Sequence, residues 1–179
     1  RDNRWERIEK AYRAIVDGSA KNKHNHLESI QASYSKHVTD EFFEPTNFGD
    51  YEGAVDGDGF FITNYRADRV REILTATFDD EFEYFKRKSK PVFFEPTSMV
   101  EYSKRLRRKI KPIFENIEIK NTLGEIISDN NLKQLRIAET EKYAHVTYFF
   151  NGGIEENFVG EDRILIPSPR VETYDRKPE

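Results

Sequence analysis

Cysteine is absent from the 179 residues. That excludes a disulfide framework and any thiolate metal site, and it fits a protein of the reducing cytosol, a cytoplasmic location. Long apolar runs are missing too. None approaches the roughly 20 residues that a helix needs to span a bilayer, and no signal-peptide pattern opens the chain. Positive charge is not in surplus: 29 Lys and Arg against 33 Asp and Glu leave a net charge of -4. Nothing global therefore favours nucleic acid or an anionic membrane as partner, since both call for a basic surface. A Walker loop, a Rossmann glycine fingerprint, a nucleophile elbow and a zinc helix are all lacking. No internal repeat or low-complexity tract is present.

What is there is polar but not disordered. Hydrophobic residues make up 36% and charged residues 35%, with a mean hydropathy of -0.83. The aromatic share of 13%, 14 Phe and 9 Tyr, supplies a core that disordered chains lack. The length fits one or two domains. The chain opens on Arg1 rather than Met and enters a helical pattern at once, so it reads as a piece of something longer.

Trp5, Ile8, Tyr12 and Ile15 recur at helical spacing and predict a first helix, capped by Asp2 or Asn3 and ended by Gly18. Ser19 to Asn25 reads as a loop. A second helix follows, with Leu27, Ile30 and Tyr34 on one face. From Thr39 to Gly57 the chain is irregular, and Phe60, Phe61 and Ile62 after Asp-Gly-Asp-Gly predict a buried strand. Asn64, Tyr65 and Arg66 form a tight exit into a third helix whose inner face is Val70, Ile73 and Leu74. Pro91 to Phe94 is a second candidate strand. Lys104 to Lys111 is a basic run read as a solvated face, and Ile113 to Ile119 reads as a linker. Asn121 or Thr122 caps a helix with Leu123, Ile126 and Ile127 inward. Leu135 and Ile137 mark a strand, Thr140 to Phe150 a helix stopped by Asn151-Gly-Gly, and Ile164 to Ile166 another strand. Strand, helix and strand over about 30 residues read as a βαβ unit, hence a parallel sheet with a right-handed crossover.

Three places carry candidate chemistry. Arg66 lies just past the carboxyl end of a predicted strand, with Arg69 one helical turn later, and residues three apart share a helix face. Ligands of open α/β sheets gather at strand carboxyl ends, so two guanidinium groups there suit a phosphate or carboxylate. The alternative is that Arg69 pairs with Asp68 or Glu72 on a solvated face. Lys142 is another cation in a first helical turn after a strand, a placement that a surface residue also fits. Arg1 precedes the first helix and alone carries no signal. His24 and His26 lie in a polar loop with no third ligand nearby. His145 reads as a packing residue, and Asp56 and Asp58 read as turn formers.

Several long stretches then resemble one family. Asn121-Thr-Leu-Gly-Glu is followed by Leu132-Lys-Gln-Leu-Arg-Ile-Ala-Glu-Thr-Glu-Lys-Tyr-Ala-His-Val-Thr-Tyr-Phe-Phe-Asn-Gly-Gly, and then by Gly160-Glu-Asp-Arg-Ile-Leu-Ile-Pro-Ser-Pro. Together with Arg1-Asp-Asn-Arg-Trp-Glu-Arg and Asp56-Gly-Asp-Gly-Phe-Phe-Ile-Thr-Asn-Tyr-Arg-Ala-Asp-Arg, they resemble the cofactor-independent (2,3-bisphosphoglycerate-independent) phosphoglycerate mutases. The likeness runs in order along nearly the whole chain; residues 86–111 depart from it.

The resemblance implies an α/β fold: part of a three-layer αβα phosphotransferase domain over residues 1–116, then the start of an alkaline-phosphatase-like αβα domain over residues 117–179. The hinge falls near Phe114 to Lys120. It also implies interconversion of 3-phosphoglycerate and 2-phosphoglycerate through a phosphoserine, in glycolysis and gluconeogenesis, by a monomer that uses two Mn2+ ions and no 2,3-bisphosphoglycerate. Arg1, Arg66, Arg69 and Lys142 fall on its substrate-binding positions, with Lys142 also catalytic. The serine would lie upstream of Arg1 and the metal ligands downstream of Glu179, leaving this chain inactive alone and its exposed sheet edges prone to self-association. Two rival readings are another phosphomutase or phosphatase of the same superfamily, and a non-catalytic anion-binding module.

Overall fold

A computed structural model describes residues 3–171 and 173–177. The chain is of the α/β class with parallel strands, and it divides into two compact units at Asn116 and Ile117.

The first unit is built on α1 (Trp5–Ile15), α2 (His26–Ser35), β1 (Gly59–Ile62), α3 (Val70–Phe78), β2 (Phe94–Val100), α4 (Lys104–Arg107) and β3 (Lys111–Phe114). Its three strands are parallel in the order β1-β2-β3. Alternation decides which face is covered. Phe60, Ile62 and Val100 pack on Val70, Leu74 and Phe78 of α3 and on Tyr102, Leu106 and Ile110, whereas Phe61 and Ile113 are exposed. The β1 strand is therefore half-buried, where its apolar run predicted full burial. The opposite side of α3 presents Ala76 to Tyr12 and Val16, with Phe82 in the same cluster and Trp5, Ile8 and Phe85 against it.

The first helix follows its predicted span, with a shift of face. Val16 is buried and Ile15 is exposed. Arg4 occupies the N-cap without a side-chain bond, so Asn3 does not cap through its side chain; Asp2 lies outside the described residues. The expected inner face of α2 is not buried either. Leu27 and Tyr34 are exposed, and Ser29 turns inward because its hydroxyl accepts from Asn22 Nδ2 and donates to the Asn25 carbonyl.

The second strand begins at Phe94 rather than Pro91 and runs on through Pro96. A proline in a central strand removes a ladder donor, and the register explains its tolerance. Gly59 pairs Phe94 while Phe61 pairs Thr97, so β2 carries an extra residue at Glu95–Pro96, with Glu95 at φ +41°. This is a bulge. The basic run Lys104 to Lys111 is more than a solvated face. Leu106 and Ile110 enter the core, while Arg105 pairs Asp79 and Glu81, Arg107 pairs Glu101 and Glu115, and Lys109 pairs Asp80. Hydrogen bonds from Lys109 and Lys90 hold the Asp80 carboxyl down at about 2. Ile113 and Phe114 belong to β3; the chain from 115 to 122 is the part without a regular element.

The second unit comprises α5 (Leu123–Asp129), β4 (Gln134–Glu139), α6 (Thr140–Ala144), a π-helical continuation (His145–Phe149) and β5 (Glu161–Ile166). Thr122, not Asn121, caps α5, in a reciprocal capping box with Glu125. Parallel β4 and β5 run in unbroken register from Gln134–Glu161 to Glu139–Ile166. Leu123 and Ile126 are exposed, contrary to their expected inward role, and Leu135 and Ile137 of β4 are exposed as well. What this unit buries among its described residues is polar or small: Gly124, Gln134, Thr147, Asn151 and Glu161. Asn151 Nδ2 and Arg163 Nε donate to the two oxygens of Glu161, at 2.8 and 2.5 Å, and Gln134 Nε2 donates to the Gly124 carbonyl at 3.0 Å.

Candidate functional site

In the first unit the candidate site grows from the carboxyl end of β1. Thr63 to Arg69 form a strap between the strand and α3, held by bonds to its backbone. The buried Tyr102 hydroxyl donates to the Asn64 carbonyl, fixing the strap to the core. Asn64 Oδ1 accepts the Arg66 N–H at 2.6 Å, and Asp68 Oδ1 accepts the Arg69 N–H at 2.8 Å. Short Asn and Asp side chains offer the backbone such alternatives to helical bonding. They delay the helix: α3 starts only at Val70, with Arg69 at its N-cap.

This corrects the expected geometry. Arg66 lies in the strap and not on α3, so helical periodicity does not bring it beside Arg69. What joins them is Asp68. Its second oxygen meets Arg66 Nε at 2.9 Å, with the Asp68 side chain 12% exposed and that of Arg66 64% exposed. Both arginines are on the surface. Asp68, one of the two partners foreseen for the Arg69 side chain, thus takes the Arg66 guanidinium and the Arg69 N–H. Beside the strap, the Tyr65 ring stacks on Phe114 with centroids 6.2 Å apart.

In the second unit, Lys142 is the third residue of α6, exposed, at the carboxyl ends of the parallel β4 and β5. The start of α6 is tied to the segment after β5. Glu141 N–H donates to Ser168 Oγ at 3.1 Å, the Ser168 hydroxyl donates to Glu139 Oε2 at 3.1 Å, and Ser168 N–H donates to Thr140 Oγ1 at 3.2 Å. Arg1 lies outside the described residues.

The remaining candidates have structural explanations. Asn25 caps α2 through Glu28 N–H, and His24 Nδ1 stands 3.5 Å from Glu28 Oε2. Asp58 accepts the Val55 N–H, the bond of a turn, and Asp56 accepts the Val92 N–H, a long-range bond that ties this turn to the segment before β2. His145 packs on Phe149 at 5.4 Å between ring centroids. Among the described residues, no group of three or more His, Asp or Glu side chains is placed to hold a metal ion. The sequence points to Asn64 only as part of a tight exit, without its bond to Arg66, and shows no sign of Tyr102. The Asn64-to-Arg66 spacing of an Asx turn was a usable signal; nothing local to Tyr102 announced its bond to a residue 38 positions away.

Comparison with known proteins places this geometry in context. The family model described as BPG-independent PGAM N-terminus (iPGM_N) matches residues 1–104. A 2,3-bisphosphoglycerate-independent phosphoglycerate mutase of Sulfurimonas denitrificans is 48% identical over all 179 residues, which cover 36% of that protein. The protein of the same name in Agrobacterium fabrum is 50% identical over the whole chain, covering 35% of its length. Among solved structures, a Leishmania mexicana phosphoglycerate mutase studied at low cobalt concentration superposes with a TM-score of 0.83 at 28% identity, over 98% of this chain and 33% of that one. The chain thus spans about a third of the length of the relatives it matches.

Proposed function

The chain belongs to the BPG-independent phosphoglycerate mutase family, whose N-terminal model covers residues 1–104, and on that premise we propose that it holds the substrate-anion side of a mutase interconverting 3-phosphoglycerate and 2-phosphoglycerate. The observation that carries this is the strap at the carboxyl end of β1, where Asp68 links Arg66 to the N-cap residue Arg69. In this reading Arg1, Arg66 and Arg69 bind the glycerate carboxylate and phosphate, since planar guanidinium groups make paired bonds to such anions. They fix the acceptor hydroxyl while the phosphoryl group passes through a serine outside this chain. Lys142 stabilises charge building on the transferred phosphoryl group and lowers the pKa of that serine.

Residues 1–116 then form the latter part of the phosphotransferase domain, residues 117–179 begin the returning phosphatase segment, and the hinge falls near Phe114 to Lys120. The chemistry assigned to the chain is anion binding. Two Mn2+ ions belong to the whole enzyme in this reading, and the described residues do not fit a site for them. The intact enzyme works in the cytoplasm as a monomer.

Arg66→Ala in the intact protein tests the proposal. Loss of a charge-assisted pair predicts about 2 kcal/mol or more of lost transition-state stabilisation, read as kcat/KM for 3-phosphoglycerate. Wild-type kinetics in that variant would refute it.

A further inference from the structure

We infer that Asp68 is a positioning residue, which fixes the Arg66 guanidinium so that it meets the substrate anion in a preset orientation. The inference rests on the reading of Arg66 as an anion ligand. Arg66 is a long, exposed side chain on an irregular strap, the situation in which ordering an arginine on an anion costs most rotamer freedom. Asp68 is nearly covered, and both of its oxygens are engaged: Oδ2 with Arg66 Nε at 2.9 Å and Oδ1 with the Arg69 N–H at 2.8 Å. The carboxylate itself is therefore held by the backbone at the start of α3, and the strap leading to it is tied to the core through the Tyr102 bond to Asn64. A bond at Nε takes one of the five guanidinium N–H donors and defines the plane of the group, while the other four N–H bonds belong to the two terminal nitrogens. Asp68 thus passes the rigidity of the core to an exposed cation.

Two other roles compete with this one. Asp68 would act only as a helix-start residue if its backbone bond were all that mattered. Asparagine keeps an oxygen acceptor for the Arg69 N–H while removing the charge, so Asp68→Asn separates the roles. The carboxylate would also repel a nearby bound anion, an effect opposite in sign to positioning.

The experiment is titration calorimetry of the intact protein with 3-phosphoglycerate, comparing wild type, Asp68→Asn, Arg66→Ala and the double variant, with melting temperatures checking that each is folded. Positioning predicts that Asp68→Asn melts as wild type, binds at least tenfold more weakly, and adds no further loss on top of Arg66→Ala. Unchanged or tighter binding by Asp68→Asn, with Arg66→Ala impaired, would overturn the inference and leave the anion reading intact. The same tenfold loss repeated in the Arg66→Ala background would also overturn it, because Asp68 would then act without Arg66. Wild-type binding by Arg66→Ala would remove the anion reading and this inference with it. Should Asp68→Asn melt early, Asp68→Ser, which keeps an acceptor near the Arg69 N–H without the charge, takes its place in the same cycle.

Discussion

Gly18 has φ +60°, and a Cβ built on it would lie 2.2 Å from the carbonyl carbon of Glu52. Gly53 faces it from the other strand of chain, at φ +103°, where a Cβ would come within 2.4 Å of the Val16 oxygen. The two glycines let the chain cross itself closely enough for Ala54 N–H to reach the Val16 carbonyl at 3.0 Å. Sequence reading took Gly18 for a helix stop; the close approach to Glu52 is long-range and has no local signature. Gly18→Ala should cost about 1–3 kcal/mol from the left-handed backbone alone, and more from the backbone clash. Amide-exchange protection across α1 of the intact protein reports it, and unchanged protection would show that the crossing can open without loss. The functional residues divide the same way. Arg66, Arg69 and Lys142 stood out as cations after strands, whereas the bonds that orient Arg66 and its strap come from Asn64, Asp68 and a tyrosine between β2 and α4.

At the scale of elements, periodicity located α1, α2, α3 and α5 and found the buried face of α3 at Val70 and Leu74. It missed α4 and failed on the buried face of α2 and α5. Leu27, Tyr34, Leu123 and Ile126 form stripes that read as inner faces, yet all four are exposed. A stripe says that a face wants a partner and not whether this stretch of chain provides it. Gly124 is buried instead, because Phe158 and Asn151 approach where a side chain would be: a Cβ there would stand 2.8 Å from the Phe158 ring. The second strand, expected at Pro91 to Phe94, runs instead from Phe94 to Val100: Pro96 argues against a central strand, and the bulge that admits it depends on the pairing with β1.

The same scale holds a pH prediction for β4 and β5. Burial pushes the Glu161 carboxyl up, but hydrogen bonds from Arg163, Asn151 and the Phe158 N–H pull harder and leave it below its ordinary value. A carboxyl depressed in the folded state contributes stability that is present above its unfolded pKa and is lost as pH falls through the folded one. Exchange protection of β4 and β5 should therefore weaken as the medium is acidified below the usual carboxylate range. Glu161→Gln should remove that pH dependence and lower protection at neutral pH. An acid dependence surviving in the variant would assign it to another group.

Taken whole, the molecule leaves much apolar surface without cover. Its first unit has an apolar core on one face of its sheet and exposed Phe61 and Ile113 on the other, and its second unit buries no large apolar side chain among the described residues. Two strands alone are marginal in water, and continuous apolar runs such as Ile164-Leu165-Ile166 suit strands covered on both faces. The chain spans about a third of the relatives it matches, and we expect the rest of such a protein to supply the cover. The 179 residues expressed alone should self-associate through open faces and strand edges, visible as a sedimentation coefficient that rises with concentration, and should show no mutase turnover with or without manganese. A stable monomer at high concentration, or measurable turnover, would contradict this.

The proposed function requires the strap after β1 to meet a substrate anion. A crystal structure of the intact protein with 3-phosphoglycerate tests that most directly. The predicted result is a carboxylate or phosphate oxygen within hydrogen-bond reach of Arg66 and Arg69, with Asp68 still on Arg66 Nε. Ligand bound elsewhere, with both arginines turned to solvent, would contradict it.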